Sequence, residues 1–300
     1  MSKVSGAVRV VVPASSANLG SGFDSAGLAL SMFDEIEASF TDKPGVQVDV
    51  DGEGRNSLPR DENHLIARVM LKTFANLSMP VHGLYLRCIN RIPHGRGLGS
   101  SAAAISAAVV AARALAGTQG TRMDDQGALE LASSIEGHPD NVAASLVGGV
   151  TASASGEVVQ FPCALEPAII AWIPETQTST EKSRTTLSST ISLADAVVNI
   201  GHTALLLGAL ATGDKTVLRV ATTERIHQDI RLANAPTSDG ALKAALGTSA
   251  WCAWLSGSGP TVAVMCDKAE ANVIAAALPT SGATKILSID NPGAVVLPRK

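Results

Sequence analysis

A chain of 300 residues, 46% of them apolar, carries enough nonpolar side chain for a sizeable core spread over about two domains. With 23 basic against 27 acidic residues the formal net charge is -4, which leaves no electrostatic footprint for a polyanion and argues against a nucleic-acid partner. Only 17% of residues are charged and 3% are aromatic, so disorder is excluded and the core must be built from small aliphatics.

The β-branched run from Ala7 to Val12 predicts a first strand, stopped by Pro13 and followed by a loop of small polar residues reaching Asp24. Further strands are expected over Met32 to Phe40 and Val46 to Val50. Leu65, Val69, Met70 and Phe74 share one helical face and predict a helix over Asn63 to Leu77. A strand from Leu84 to Ile89 leads into the turn PHGRGLGSS and then into an Ala-rich helix from Ser100 to Ala116, ended by Gly117.

Helical patterns follow over Asp124 to Ser134 and, after Pro139, over Asn141 to Leu146, before the Gly148-Gly149 turn. Short strands are expected near Val150 and Val158 and over Ile169 to Ile173. A polar stretch from Pro174 to Ser189 precedes helices over Leu193 to Leu210 and Lys215 to Val220. The last third reads as a helix (Gly240 to Gly247), a strand (Trp251 to Leu255), the loop SGSGP, a strand (Thr261 to Cys266), a helix (Ala269 to Leu278) and a closing strand. This mixture predicts an α+β or α/β protein in two lobes, residues 1–152 and 153–300.

Cys88, Cys163, Cys252 and Cys266 show no C-x-x-C spacing and read as reduced thiols of a cytoplasmic protein. The first apolar stretch is short and carries Arg9, unlike a signal peptide. The run from Ala102 to Gly117 contains Arg113 and falls short of the ~20 residues of a membrane span, so no membrane partner is expected.

Chemistry concentrates in three loops. Pro93-His94-Gly95-Arg96-Gly97-Leu98-Gly99-Ser100-Ser101-Ala102-Ala103 is a glycine-rich turn opening directly into a helix. Backbone N–H groups and the positive end of the helix dipole suit such a turn to a polyphosphate. Ser100 and Ser101 are placed either to cap that helix or to offer a hydroxyl to a phosphate-bound Mg²⁺. Neither a G-x-x-x-x-G-K-[ST] loop nor a full G-x-G-x-x-G is present. The other two loops are PASSANLGSGFD, from Pro13 to Asp24, and LSGSGPT, from Leu255 to Thr261.

In that order the three loops resemble the motifs of the GHMP kinases, with P-x-x-x-G-L-G-S-S-A-A in the middle. Within them PASSANLGSGFDSAG, EGHPDNVAASLVGG and ERIHQDIR are similar to the homoserine kinase family over nearly the whole chain. The first loop lacks the lysine of the P-G-K or P-A-K that mevalonate and diphosphocytidyl-methylerythritol kinases carry there, and it has Ser21 where many relatives have proline. The resemblance implies a two-lobed α+β fold, with a ribosomal-S5-domain-2-like N-terminal lobe and a ferredoxin-like C-terminal lobe. It also implies phosphorylation of the L-homoserine hydroxyl by ATP in threonine biosynthesis, and a homodimer.

Carried over residue by residue, it places the ATP phosphates on Pro93 through Ala103 and the adenine near Asn63. Mg²⁺ falls to Ser101 and Glu130, with Glu136 the competing carboxylate. Arg184 and Arg231 match the arginines that hold the substrate carboxylate, with Arg225 a rival for the second, and a guanidinium fork suits that group. Asp24 is the expected ammonium acceptor, with Asn18 beside it. His138, Asn141 and Thr180 are expected at the reacting hydroxyl, and Asp140 serves as general base or as helix cap. The stretch from Thr176 to Ser189 is expected to order over bound amino acid. Two alternatives stay open: a GHMP kinase for another alcohol, and a non-catalytic nucleotide-binding sensor on the same fold.

Overall fold

The computed structural model describes residues 6–117 and 121–298, apart from the side chains of 180–182. In chain order the elements are β1 (Val8–Ala17), β2 (Ala26–Phe40), β3 (Gly45–Gly52), α1 (Leu65–Asn76), β4 (Gly83–Asn90), α2 (Ser100–Ala116), α3 (Asp125–Glu136) and α4 (Asp140–Val147). There follow β5 (Val150–Ala154), β6 (Glu157–Phe161), β7 (Ala168–Pro174), α5 (Thr180–Thr185), α6 (Leu193–Thr212), α7 (Leu218–Ala221) and α8 (Gln228–Ala233). The chain closes with α9 (Pro236–Leu246), β8 (Cys252–Leu255), β9 (Val262–Cys266), α10 (Ala271–Ala277), β10 (Gly282–Leu287) and β11 (Val295–Leu297).

One sheet runs β11-β1-β2-β4-β3, with β5 also on β2 and β6 on β5; a second runs β10-β7-β9-β8. Among the described residues only the β3–β4 pair is parallel. The α+β expectation therefore holds. The division at residue 152 does not follow the sheets: it cuts β5, and both β6 and β11 belong to the first sheet. The chain leaves the first sheet after Phe161 and returns to it through the Leu30–Ile289 bridge and then β11.

β1 alternates buried Val8, Val10 and Val12 with outward Arg9, the period of a half-covered strand. It runs on through Pro13, where the register with β2 shifts between Pro13 and Ala14. A bulge tolerates a residue with no N–H, so the proline kinks the strand without ending it. Beyond the kink every residue is buried, Ser15 and Ser16 included, and these serines approach the site.

α2 packs against β1, α1 and α4 with Ala102, Ala103, Ala107, Ala108, Ala111 and Ala112 all buried. Side chains this short let neighbours close in on several flanks. In the C-terminal lobe β7 alternates: Ile169, Ala171 and Ile173 join the core of the N-terminal lobe, while Ile170 and Trp172 face a second core with Leu242, Val264 and Ile274. The two lobes thus share packing across one sheet face, which fixes the cleft between them.

Candidate active site

The N-terminus of α2 opens on Gly99, which has φ 68°, and no side chain caps it. Ser100 and Ser101 therefore do not cap, and the first N–H groups of the helix are left for an anion. Glycine is required in the turn for close approach: a Cβ on Gly97 would lie 2.2 Å from the Ser256 carbonyl, and one on Gly99 would lie 1.9 Å from Ser15 Oγ. A relay fastens the turn to the other lobe. Trp254 Nε1 donates to Ser16 Oγ (2.9 Å), Ser16 and Ser256 share a hydroxyl bond (2.7 Å), and Ser256 Oγ donates to the Gly97 carbonyl. The SGSGP loop is thus a clamp on the glycine turn.

Ser101 Oγ donates to Glu136 Oε2 at 2.7 Å. Burial holds the Glu136 carboxyl above its usual range, although the Ser101 bond and the His138 charge pull it back. Glu130 is not part of this cluster: it is exposed and takes a bond from Gln126 Nε2 (3.0 Å). Six residues along a helix rotate a side chain to about 120° from its starting direction, so the two carboxylates of α3 leave the helix on different sides. In this structure the carboxylate that meets Ser101 is Glu136, the competitor of the expected Glu130. Among the described residues no three His, Cys, Asp or Glu side chains cluster as metal ligands. The hydroxyl and the desolvated carboxylate nonetheless fit Mg²⁺, which keeps waters and phosphate oxygens and needs few protein donors.

Next to Glu136, Asp140 Oδ1 joins His138 Nδ1 (2.7 Å) and accepts the Asn141 N–H (2.7 Å). Burial lowers the His138 pKa, but the Asp140 bond and the Asp140 and Glu136 charges outweigh it, so the net shift is upward. Ser15 Oγ donates to Asn141 Oδ1 (2.9 Å), which commits the amide oxygen and leaves Nδ2 as the group able to meet a substrate atom.

At the far end of the cleft Arg184 makes a two-pronged ion pair with Asp24, Nη1 to Oδ2 at 2.8 Å and Nη2 to Oδ1 at 2.6 Å. That hydrogen bond leads the causes that raise the Arg184 pKa. Asn18 and Asp24 hold φ of 70° and 55°, a left-handed backbone supported by Asn18 Nδ2 donating to the Gly257 carbonyl (2.9 Å) and Asn18 Oδ1 accepting from Asp24 N (3.1 Å). Arg231, on α8, is buried beneath the ring of Phe23. Its Nη1 donates to the Gly257 carbonyl (3.1 Å) and meets His227 Nδ1 (3.2 Å), while its Nε has no partner. Burial, followed by the Arg184 charge, lowers its pKa. Arg225 is exposed and lies outside the cavity, which Arg231 lines.

These groups enclose a cavity of about 110 Å³ that reaches from Asp24, Arg184 and Arg231 to Gly95 through Ser101 and to Glu136, His138 and Asn141. Arg96 lines it, with a buried Nε that has no partner. The polar stretch is folded over the opening, with Thr178 N donating to the Gly95 carbonyl (2.8 Å). Thr180 begins α5, but its side chain lies outside the described residues.

Other calls fall away from the cavity. Ala102 and Ala103 face the core and offer only backbone; Pro93 and His94 do not line the cavity. Asn63 is exposed, bonded through its N–H to Asp61 Oδ1 (2.9 Å), and it is the neighbouring His64 that caps α1. A larger cavity of about 890 Å³ sits at the opposite end of α2, around Arg113, Met123 and Leu129, and shares no residue with the cleft.

Missed in the sequence were Ser15, Ser16 and Ser256 as holders of Asn141 and the glycine turn. All three lie in loops the sequence singles out, but nothing local shows that Ser15 and Ser16 are the buried end of β1 or that Ser256 reaches the glycine turn. Glu224 was missed as well: it collects the N–H groups of Ile226, His227 and Gln228 and so sets α8, the carrier of Arg231.

Comparison with known proteins matches residues 64–149 to the GHMP kinases N terminal domain and residues 206–284 to the GHMP kinases C terminal domain. The chain is 44% identical to a homoserine kinase of Streptomyces avermitilis, covering 97% of this chain and 96% of that one, and 43% identical to a homoserine kinase of Streptomyces coelicolor, covering 97% and 95%. A crystal structure of homoserine kinase from Cytophaga hutchinsonii superposes with a TM-score of 0.88 at 27% identity, covering 99% of both chains.

Proposed function

The chain belongs to the homoserine kinase family of the GHMP kinases, and from that premise we propose how its cleft carries the γ-phosphoryl group of ATP to the side-chain hydroxyl of L-homoserine, giving O-phospho-L-homoserine. The observation that carries the reading is the meeting, in one cavity, of an uncapped helix N-terminus with the Asp24 carboxylate and the Arg184 and Arg231 guanidinium groups. The first suits a phosphate chain, the second a zwitterion.

L-Homoserine brings an ammonium and a carboxylate to an ion pair that already holds the two opposite charges. Asp24 takes the ammonium, and Arg184 and Arg231 take the carboxylate, so one internal pair is exchanged for two external ones. Each charge-assisted bond is worth about 1.5–3 kcal/mol when shielded from water. The polar stretch carrying Thr178 and Arg184 closes that end, and its bond to Gly95 couples the amino-acid end to the phosphate turn.

The turn from Gly95 to Ser101 and the α2 N-terminus hold the phosphates, with Arg96 Nε free to donate. Ser101 Oγ and Glu136 would hold Mg²⁺, which supplies neutralising charge to the phosphates. Asn141, its oxygen committed to Ser15, donates from Nδ2 to the substrate hydroxyl oxygen and aligns it in line with the γ-phosphorus. Asp140 Oδ1 is engaged by His138 and the Asn141 backbone, so Asp140 positions these groups through that oxygen. The hydroxyl proton then passes to a phosphate oxygen as the new O–P bond forms and the bond to ADP breaks, as a loose transition state allows. Cytoplasmic location and a second copy of the chain as protein partner complete this reading.

ADP release over L-homoserine, 4-hydroxybutyrate, homoserinol and mevalonate tests it. Turnover confined to L-homoserine is the expected result, with the two truncated analogues failing through KM. Equal turnover of mevalonate would reject the zwitterion assignment while leaving phosphoryl transfer in place, and nucleotide binding with no turnover on any acceptor would favour a sensor.

A further inference from the structure

His227 stands at the start of α8, only 1% exposed, between two groups of the amino-acid end of the cleft. Its Nδ1 lies 3.2 Å from Arg231 Nη1, and its Nε2 lies 3.1 Å from the Gly20 carbonyl, in the loop that presents Asp24. The ring also stacks on Phe23 of that loop, centroids 5.0 Å apart, and the Arg231 guanidinium lies 5.5 Å from the Phe23 ring centre. A guanidinium only donates and a carbonyl only accepts, so Nδ1 is bare and Nε2 carries the hydrogen. A second proton on the ring would set two donors against each other. Burial, helped by the Arg231 charge, holds the His227 pKa below the usual histidine range against the charges of Glu224 and Asp24. Glu224 Oε2, 3.9 Å from Nε2, is too distant to take that hydrogen and is engaged by the N–H groups of Ile226 and His227.

The consequence falls on Arg231. Its Nη1 spends one hydrogen on His227 and the other on the Gly257 carbonyl (3.1 Å), which also accepts from Asn18 Nδ2 (2.9 Å). What remains for a ligand is the Nε–H, buried without a partner, together with Nη2. That edge of a guanidinium grips a carboxylate through two parallel bonds.

We propose that His227 is a positioning residue for the amino acid: its two ring nitrogens set the carboxylate-binding Arg231 and the loop of the ammonium-binding Asp24 at one spacing, that of an α-amino acid. The proposal rests on the zwitterion reading of the cleft. One rigid ring that fixes two binding groups through its opposite edges removes freedom that each group would otherwise lose on binding. Without it Arg231 keeps its charge but not its aim. The affinity lost then belongs to the amino acid and not to ATP, and it is lost from KM and not from kcat.

Two substitutions separate the two nitrogens. Gln brings its amide to where Nε2 stands and still donates to Gly20, with nothing at the Nδ1 position; Asn puts an oxygen where Nδ1 stands and stops short of Gly20. The test reads kcat and both KM values, with Ki for two competitors, homoserinol (no carboxylate) and 4-hydroxybutyrate (no ammonium). His227→Gln should raise KM for L-homoserine and Ki for 4-hydroxybutyrate by roughly ten-fold or more, with homoserinol within about two-fold of the parent. His227→Asn should reverse the pattern, with rises of roughly three- to ten-fold for L-homoserine and homoserinol alone. In both variants kcat and KM for ATP should stay within about two-fold. Nitrogen-15 NMR of the intact parent reads the ring without any substitution and decides the matter if a variant does not fold: a bare Nδ1 and a protonated Nε2 are expected at neutral pH, and a protonated Nδ1 would overturn the proposal. Equal losses for all three ligands, or none, would also overturn it while leaving the zwitterion reading in place. A parent that binds L-homoserine no better than either analogue would overturn both.

Discussion

At the proposed phosphate end of the cleft the groups on offer are backbone N–H donors of one continuous stretch, Gly95 to Ser101, held by serines from β1 and from the loop after β8. At the amino-acid end they are side chains delivered by separate segments: Asp24 from the first loop, Arg184 from α5 and Arg231 from α8. The first end is preformed, because its donors are fixed by the fold itself. The second is an internal ion pair that the proposed binding mode exchanges for a zwitterion. Damage at the phosphate end should therefore strike turnover, and damage at the amino-acid end should strike KM for one substrate only.

Glu136→Gln should have the largest effect. The amide keeps an acceptor for Ser101 but loses the charge that would hold Mg²⁺, so kcat should fall by roughly 10²–10³. Glu130→Gln, at an exposed position on another side of α3, should stay near the parent rate. A reversal of that pair in steady-state assays would return the metal to Glu130. Gly97→Ala comes next. Its Cβ would need the room occupied by the Ser256 carbonyl at 2.2 Å, so the turn and its clamp must part. Displacing a phosphate loop by about 1 Å costs on the order of 10²-fold in kcat/KM for ATP. Loss confined to homoserine KM would show that the two ends are less separate than drawn here.

Arg184→Lys sharpens the comparison from the other side. The charge stays but the fork that grips Asp24 at 2.8 and 2.6 Å is gone. KM for homoserine should rise by roughly 10–100-fold, with KM for ATP within about two-fold of the parent. Equal rises in both would mean that the bond from Thr178 to Gly95 transmits the damage to the phosphate turn.

The same contrast explains what could be read from the sequence. The phosphate end is local: Gly99 before and Gly117 after an alanine run bound α2 where the structure does, and the turn is contiguous in the chain. The amino-acid end depends on contacts between residues 160 apart, as in Asp24 with Arg184, so motif resemblance supplied it and spacing could not. Position in a motif says nothing of the face of a helix: Glu136 is the carboxylate of α3 that meets Ser101, and Glu130 meets Gln126, so the choice of metal ligand is left to the paired substitutions. Pro13 misled for a different reason, since a bulge lets a strand absorb a proline that would end it elsewhere. α8 was missed because what sets it is Glu224, a buried carboxylate collecting three N–H groups, and no apolar period marks so short a helix.

The smallest expected effect on turnover lies just behind the phosphate end, at Asp34 of β2. Its Oδ1 accepts the N–H groups of Arg91 (2.6 Å) and Ile92 (2.9 Å), the residues that lead into the glycine turn. Burial pushes its pKa up to about 6, against the pull of those two bonds, so the folded protein binds this proton more tightly than the unfolded chain. The sign follows by linkage. The contribution to stability is fully present below the unfolded value near 4 and is lost as pH rises through about 6. Asp34→Asn keeps an oxygen for both N–H groups and has no charge to bury, so it escapes that loss. Urea unfolding should show the variant gaining on the parent between pH 4 and 6 by on the order of 2–3 kcal/mol, with a flat difference above pH 7. Parallel stability curves for the two proteins would mean that Asp34 is ionised in the folded state throughout that range, and that the strand behind the turn carries its charge without penalty.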